Sequence, residues 1–195
     1  MVVVKAEVRS HIVDVARKIF TRYGFRKTTM EEIAAATRKG KSSIYYYFNS
    51  KEDIFRAVVE REAGELRTQL NKVIAGSDTP IAKLKAYMMF RLHHVHTLQN
   101  FYAALNEEYL SHMDFILDIR RQFDKEELQL VRHILEEGRD KGTFQITNSK
   151  VGAIAISTMM KGLELPVLLS EEYKPDRGML LDDIIRVLLY GILKR

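Results

Sequence analysis

The tripeptide Gly40-Lys41-Ser42 has the residue types of a phosphate-binding loop. In such a loop another glycine stands five residues earlier and a buried strand leads into the turn, so that backbone amides surround the phosphates. Position 35 is alanine, and the residues before the tripeptide predict a capped helix. The sequence therefore argues against nucleotide binding at this point.

Three consecutive tyrosines at positions 45–47 offer a different chemistry. At about 100° per residue, Ile44 and Phe48 lie on one side of a helix, and Ser42 lies with the first two tyrosines on the opposite side. A short helix that buries two side chains and exposes hydroxyl groups fits the recognition helix of a helix-turn-helix, which enters the DNA major groove. Hydroxyl groups bind phosphates and base edges, and Lys41 adds positive charge beside them. The alternative is that the tyrosines belong to a core, but three successive helical residues cannot all face inward.

Basic residues are concentrated in the first third of the chain. Residues 1–60 hold 12 Lys and Arg against 7 Asp and Glu, a net charge of +5, whereas residues 61–195 hold 19 of each. A positive field confined to one part of a protein attracts polyanions, nucleic acid first and anionic membrane second. An ordinary solvated surface is the alternative, and it does not require this partition.

The spacing of apolar residues predicts an all-α chain. A first helix ends at Gly24 in a left-handed conformation, with Phe25 packed back on its last turn. Thr29 and Glu32 form the pattern of a capping box, which opens a short second helix. The predicted buried residues of these two helices are Ile12, Ala16, Ile19, Phe20, Tyr23, Met30, Ile33 and Ala34.

A third helix is predicted at about 41–48 and a long fourth helix at about 50–75, which Ser50 caps. At about 1.5 Å per residue, the fourth helix is roughly 38 Å long. Its predicted buried stripe consists of Ile54, Phe55, Val58, Leu66, Leu70 and Val73.

Turn residues at 75–80 mark the predicted domain boundary. We expect a three-helix helix-turn-helix domain at 1–50, the long helix at about 50–75 as its link, and a helical ligand-binding and dimerisation domain at 76–195. The second domain is predicted to hold the remaining helices of about nine, at about 80–99, 101–111, 113–141, 149–171 and 177–194.

Residues 8–55 resemble the DNA-binding domain of the TetR family of bacterial transcription regulators. The resemblance is carried by "SSIYYYFNSKEDIF" from Ser42 to Phe55, by Ile19-Phe20 followed by Gly24-Phe25, and by Thr29 with Ile33-Ala34. The family usually has Ala-Gly-Val-Ser in the turn after the second helix, where this chain has Thr37-Arg38-Lys39-Gly40. We therefore expect a turn of somewhat different shape, with Arg38 and Lys39 facing phosphates.

The resemblance implies a ligand-responsive, sequence-specific, DNA-binding transcription regulator. We expect a repressor that a small molecule releases from a pseudo-palindromic operator in double-stranded DNA. By the resemblance, Lys41, Ser42, Tyr45 and Tyr46 match base-reading positions, and Thr29, Ser43, Tyr47 and Lys51 match phosphate-contacting positions.

The resemblance also implies a homodimer, in which the last two helices of each chain form a four-helix bundle. Those two segments are more apolar than the surface helices of a monomer, although ordinary core packing is an alternative. The long fourth helix would connect the effector to the DNA-binding heads.

Aromatic, methionine and histidine side chains of the middle helices are candidates for effector binding, because methionine adapts to irregular ligands. Ordinary core packing is again the alternative. The candidates are Met88, Met89, Phe90, His93, Phe101, Tyr102, Tyr109, Phe115, Phe123, Met159 and Met160.

The sequence offers little for catalysis or for a resident cofactor. His93 and His96 share a helix face without the carboxylate or cysteine that a zinc site needs, so we expect no metal and no cofactor. The chain has no cysteine, no apolar run near the roughly 20 residues of a membrane span, and no signal-peptide core. We expect a cytoplasmic protein that is not an enzyme and binds no membrane. A helical interaction protein that no longer reads DNA and an enzyme built on the helical domain are the alternatives.

Overall fold

A computed structural model of the chain describes residues 2–94, 100, 114–163, 183, 185–187 and 189–190. Within these ranges the protein is built of helices, which confirms the predicted all-α class. The helices with defined bounds are α1 Val2–Tyr23, α2 Met30–Ala36, α3 Lys41–Tyr47, α4 Lys51–Ala75, α5 Pro80–His94, α6 Asp114–Asp140 and α7 Ser149–Leu163. The described residues after 163 are helical as well. The helix predicted at 101–111 lies outside the described residues, as do parts of those predicted at 80–99, 149–171 and 177–194.

The local signals at the ends of the first helices are confirmed. Gly24 has a left-handed φ of 78° after α1. Behind it, the ring of Phe25 lies 5.8 Å from that of Phe20 and 4.8 Å from that of Phe55, centroid to centroid. Ser50 accepts a hydrogen bond of 3.1 Å from the backbone N–H of Asp53, so it caps the start of α4 as predicted.

Two residues predicted to be buried are exposed instead. Tyr23 is 53 % exposed, because the chain turns away at Gly24 and Phe25 takes the place on the core side. Val73 is 41 % exposed, whereas Ile74 is buried. The buried side of α4 continues at four-residue spacing through Leu66, Leu70 and Ile74. Because Ile74 faces inward, its neighbour Val73 faces outward.

The chain divides into two compact units. Unit 1 consists of residues 1–66 and 98–120, and unit 2 consists of residues 67–97 and 121–195. The core of unit 1 is formed by side chains of α1 to α4 that are almost completely buried: Ile12, Val13, Phe20, Phe25, Ile33, Ile44, Phe48, Ile54 and Phe55. The predicted functional boundary at 75–80 stays a prediction.

Unit 2 holds α5, α7 and most of α6. The predicted interruption after Asp140 is confirmed, since α6 ends there and Gly142 has a left-handed φ of 68°. Phe144 then folds back and is buried against Gly138, where an added Cβ would lie 2.0 Å from the ring. In the part of the chain that the structure describes, no helix is long and apolar enough to cross a membrane.

Candidate nucleic-acid interface

The start of α2 is fixed by a reciprocal cap between Thr29 and Glu32. The Thr29 side chain accepts a hydrogen bond of 3.2 Å from the backbone N–H of Glu32. In return, the Glu32 carboxylate accepts one of 2.7 Å from the backbone N–H of Thr29. This is the predicted capping box, and it satisfies two backbone donors that the helix itself cannot pair. It fixes Thr29, a predicted phosphate contact, at the positive end of α2.

The turn between α2 and α3 contains a strained residue. Arg38 has a φ of +54°, the left-handed region that glycine enters freely and other residues enter at a cost of about 1–2 kcal/mol. Gly40 has a φ of −66°, which any residue can adopt, so this position does not require glycine. The buried hydroxyl of Thr37 stabilises the turn, because its single hydrogen is shared between the carbonyl oxygens of Ile33 and Ala34, which lie 3.0 and 2.9 Å from Oγ1. The left-handed position of the turn is therefore occupied by an arginine.

Helix α3 has the inner and outer sides that the sequence predicts. Ile44 is fully buried and Phe48 is 3 % exposed, so they anchor the helix. On the other side, Tyr45 is 42 % and Tyr46 is 66 % exposed. Ser42 is also exposed, whereas the predicted phosphate contacts Ser43 and Tyr47 are half-buried. Two large phenolic side chains and a hydroxyl group thus face outward from one short helix.

Cationic side chains surround the exposed tyrosines. Lys5 of α1 places its Nζ 4.6 Å from the centre of the Tyr46 ring, and the Tyr47 ring meets Tyr46 edge-on at 5.0 Å. The cation–π contact with Lys5 and the edge-on contact with Tyr47 hold the Tyr46 ring in place. Sequence reasoning missed Lys5, and the basic excess of residues 1–60 is the one signal that points to it.

Lys41 forms an ion pair with Glu31 of α2. The hydrogen bond between them lowers the pKa of the Glu31 carboxyl and raises the pKa of Lys41, so both groups are charged at neutral pH. Both side chains are exposed, and an exposed pair of this kind is screened by solvent. A phosphate or a base edge can therefore compete with Glu31 for Lys41 at little cost.

Lys51 has a structural role that the sequence does not predict. Its Nζ donates hydrogen bonds to the carbonyl oxygens of Phe25 and Thr28 at 3.0 and 2.9 Å, and it lies 4.3 Å from the centre of the Phe25 ring. Lys51 thereby ties the start of α4 to the loop between α1 and α2. An ammonium group carries three N–H donors, so one remains for a phosphate.

The predicted effector-binding residues are only partly within the described residues. Met88, Phe90, Phe115 and Met160 are buried, and Met89, Phe123 and Met159 are half-buried. Phe101, Tyr102, Tyr109 and the side chains of His93 and His96 lie outside the described residues. Among the side chains that the structure describes, no group of three His, Cys, Asp or Glu could hold a metal ion.

The sequence that forms α1 to α3 and the start of α4 matches a known family. Residues 12–58 match the sequence model of the bacterial regulatory proteins of the tetR family. The HTH-type transcriptional regulator QacR of Staphylococcus aureus is 23% identical over 192 residues, which cover 95% of this chain and 98% of QacR. The match thus extends over both units.

Solved structures agree on the fold. A transcriptional regulator from Cytophaga hutchinsonii is 27% identical, with a TM-score of 0.78 over 94% of this chain and 97% of that one. AibR, solved in complex with isovaleryl coenzyme A and operator DNA, is 19% identical, with a TM-score of 0.67 over 93% of this chain and 98% of that one.

We predict that Arg38→Gly stabilises the protein. Relief of the left-handed strain, less the entropy that glycine adds to the unfolded chain, should raise the free energy of unfolding by up to about 1 kcal/mol. The midpoint of thermal unfolding should rise by about 2–4 °C. The control is Lys39→Gly, which places glycine at the next exposed position, where φ is not positive, and should lower stability. Equal changes in the two variants would contradict the strain at Arg38.

Proposed function

Because the chain belongs to the TetR family of bacterial DNA-binding transcription regulators, we propose that it represses transcription from an operator and that a small-molecule effector releases it. The observation that carries this proposal is the exposed side of α3, where Tyr45, Tyr46 and Ser42 face outward above the buried Ile44 and Phe48. Hydroxyl groups on a short anchored helix are suited to base edges in the major groove. The protein acts in the cytoplasm and has no enzymatic activity.

The interface separates base contacts from phosphate contacts. Side chains at the exposed side of α3 read bases, since they alone project from the anchored helix into the groove. Thr29 and Lys51 lie at the first turns of α2 and α4, and the positive ends of helices favour phosphate. The base contacts are Lys41, Ser42, Tyr45 and Tyr46, and the phosphate contacts are Thr29, Ser43, Tyr47 and Lys51.

The effector binds in unit 2. AibR, which has this fold, was solved with both an acyl coenzyme A and operator DNA, and this supports an architecture in which one chain takes both partners. An effector changes DNA affinity only if it binds one conformation of the protein more tightly than the other.

The regulator acts as a homodimer. Four large apolar side chains on α7 and in the described helical residues near the end of the chain are exposed: Val151 at 59 %, Ile154 at 46 %, Val187 at 72 % and Tyr190 at 66 %. Large apolar side chains that are exposed on helices are typical of an interface between subunits. A two-fold dimer presents two recognition helices about 34 Å apart, one turn of DNA, so the operator is a pseudo-palindrome.

Operator binding should depend strongly on salt and on Lys51. Each lost phosphate contact lowers the slope of log affinity against log salt by about one, so Lys51→Ala should lower it by about one per half-site and weaken binding to all sequences alike. The control Lys72→Ala removes an exposed charge from the other end of α4 and should leave the slope unchanged. Fluorescence anisotropy at several salt concentrations measures both.

Since Lys51 also holds two carbonyl groups, the melting temperature of Lys51→Ala is measured alongside. Affinity that depends neither on salt nor on Lys51 in a folded variant would contradict the assignment. A genome-wide binding selection that returns no shared inverted repeat would instead favour a helical interaction protein, for which the strained arginine in the turn is the one structural reason.

Tyr46→Phe should alter sequence preference while the fold stays intact. The ring and its contact with Lys5 are kept, and the lost hydroxyl removes a hydrogen bond of about 0.5–1.5 kcal/mol, so preference for the selected operator should fall severalfold. Tyr23→Phe is the matched control, because Tyr23 is also exposed and also lies under a cation, Arg22 at 5.1 Å. Competition between operator and altered sequences measures the effect. Equal sequence preference in the two variants would show that the Tyr46 hydroxyl does not contact a base.

The dimer should depend on the exposed apolar side chains of α7. Val151→Glu would place a charge in the interface and should convert the protein to a monomer in sedimentation equilibrium at micromolar concentration. Val73→Glu makes the same change at an exposed valine of α4 and should leave the dimer intact. A wild-type monomer, or a Val151→Glu dimer of unchanged strength, would refute the interface.

A further inference from the structure

The first turns of α1 extend beyond the core of unit 1. The side chains of residues 5–11 are exposed or half-buried. The almost completely buried side chains of the helix are Ile12, Val13, Ala16 and Phe20. At about 100° per residue these four fall within an arc of about 100°, and Lys5 and Arg9 fall within the same arc. The side of α1 that is apolar in the core therefore becomes cationic where the helix leaves the core.

Both cations lie over aromatic rings at the C-terminal end of α3. Nζ of Lys5 is 4.6 Å from the centre of the Tyr46 ring. The guanidinium carbon of Arg9 is 4.7 Å from the centre of the Phe48 ring. Tyr46 is 66 % exposed, whereas Phe48 is buried and anchors the helix. Because Lys41 is the first residue of α3, this helix has cations at both ends.

The N–H groups of Lys5 and Arg9 are available to an anion. No acidic side chain within the described residues forms an ion pair with either of them. Arg17 of the same helix, in contrast, pairs with Glu62 and Glu65 at 2.9 Å each. An aromatic ring holds a cation in place but offers it no oxygen acceptor. Both side chains are exposed, so a large anion can reach them.

The phosphate backbone of DNA fits this pair of cations. Lys5 and Arg9 are four residues apart, which is about 6 Å along α1. One strand of DNA carries a phosphate about every 3.4 Å along its axis, so each cation can bind a different phosphate. The guanidinium group binds phosphate through two parallel hydrogen bonds, and the ammonium group binds it as a point charge.

We propose that Lys5 and Arg9 bind phosphates of the DNA backbone and that the rings of Tyr46 and Phe48 hold them in position. These contacts lie at the end of α3 opposite to Lys41, so cations bind the backbone on both sides of the bases that α3 reads. The contacts rest on the proposed function and extend it. Both residues precede the segment 12–58 that matches the family model, so the family match does not assign this role to them.

The experiment measures binding of the 195-residue chain to two duplexes of about 30 base pairs, roughly three turns of DNA. One carries the selected operator and the other a random sequence. Fluorescence anisotropy between about 50 and 200 mM salt gives the slope of log affinity against log salt. Lys5→Gln and Arg9→Gln should each lower this slope by about one for each bound subunit. Both should weaken the two duplexes by the same factor, because every sequence carries phosphates.

The conservative variants Lys5→Arg and Arg9→Lys keep the positive charge and should keep the slope. Unchanged slopes in both glutamine variants would refute the proposal. A lower melting temperature and weaker binding with an unchanged slope would show that the two side chains only stabilise the fold, and this result would refute it as well. Should Arg9→Gln fail to fold, Lys5→Gln decides, because Lys5 is exposed near the start of α1.

Lys18→Gln is the matched control. Lys18 is an exposed cation of the same helix, on the side opposite to Lys5 and Arg9. The substitution removes the same charge and should leave the slope unchanged. An equal loss of slope in Lys18→Gln would mean that net charge alone matters, which would rule out the two contacts.

Failure of these contacts can be told apart from failure of the proposed function. Binding to the selected operator with a slope that depends on Lys51, but not on Lys5 or Arg9, would remove the contacts and leave the function. Loss of slope on the random duplex in both glutamine variants, with no shared inverted repeat in the genome-wide selection, would do the reverse. Weaker binding of these variants to phosphatidylglycerol vesicles, with unchanged slopes on DNA, would assign the cations to a membrane surface and contradict the proposal.

Discussion

DNA binding by this protein depends on the burial of Ile44 and Phe48. Helix α3 has seven residues, far fewer than the roughly 12–15 at which an isolated helix becomes marginally stable in water. Burial of the two apolar side chains contributes about 1.5–3 kcal/mol each, and this packing holds the helix in place. Once these two positions face the core, the three-residue run between them cannot be buried as a whole, and Tyr45 and Tyr46 must face outward. The burial of Ile44 and Phe48 therefore determines which side chains of α3 are available to contact DNA.

The turn that leads into α3 contains backbone strain, which lowers the stability of the folded protein. Arg38 occupies a left-handed conformation although a glycine stands two residues later, at a position that does not need one. The strain is of the same size as a good hydrogen bond, and the hydrogen that the buried Thr37 hydroxyl shares between two carbonyl oxygens offsets it in part. Backbone strain of this kind is often found where a side chain has a task. An arginine in the turn directly before α3 places a permanent positive charge next to the proposed phosphate contacts.

Features set by neighbouring residues could be predicted from the sequence, and features set by distant ones could not. The capping box of α2, the left-handed Gly24 and the Ser50 cap follow from residue types within four positions of each other. Val73 was wrongly predicted to be buried, because helical spacing alone does not decide which of two adjacent apolar residues continues a stripe. The two hydrogen bonds that Lys51 donates to backbone carbonyls span 23 and 26 positions of the chain, and the buried hydrogen bond from Tyr87 to Glu127 spans 40. No local pattern marks such contacts.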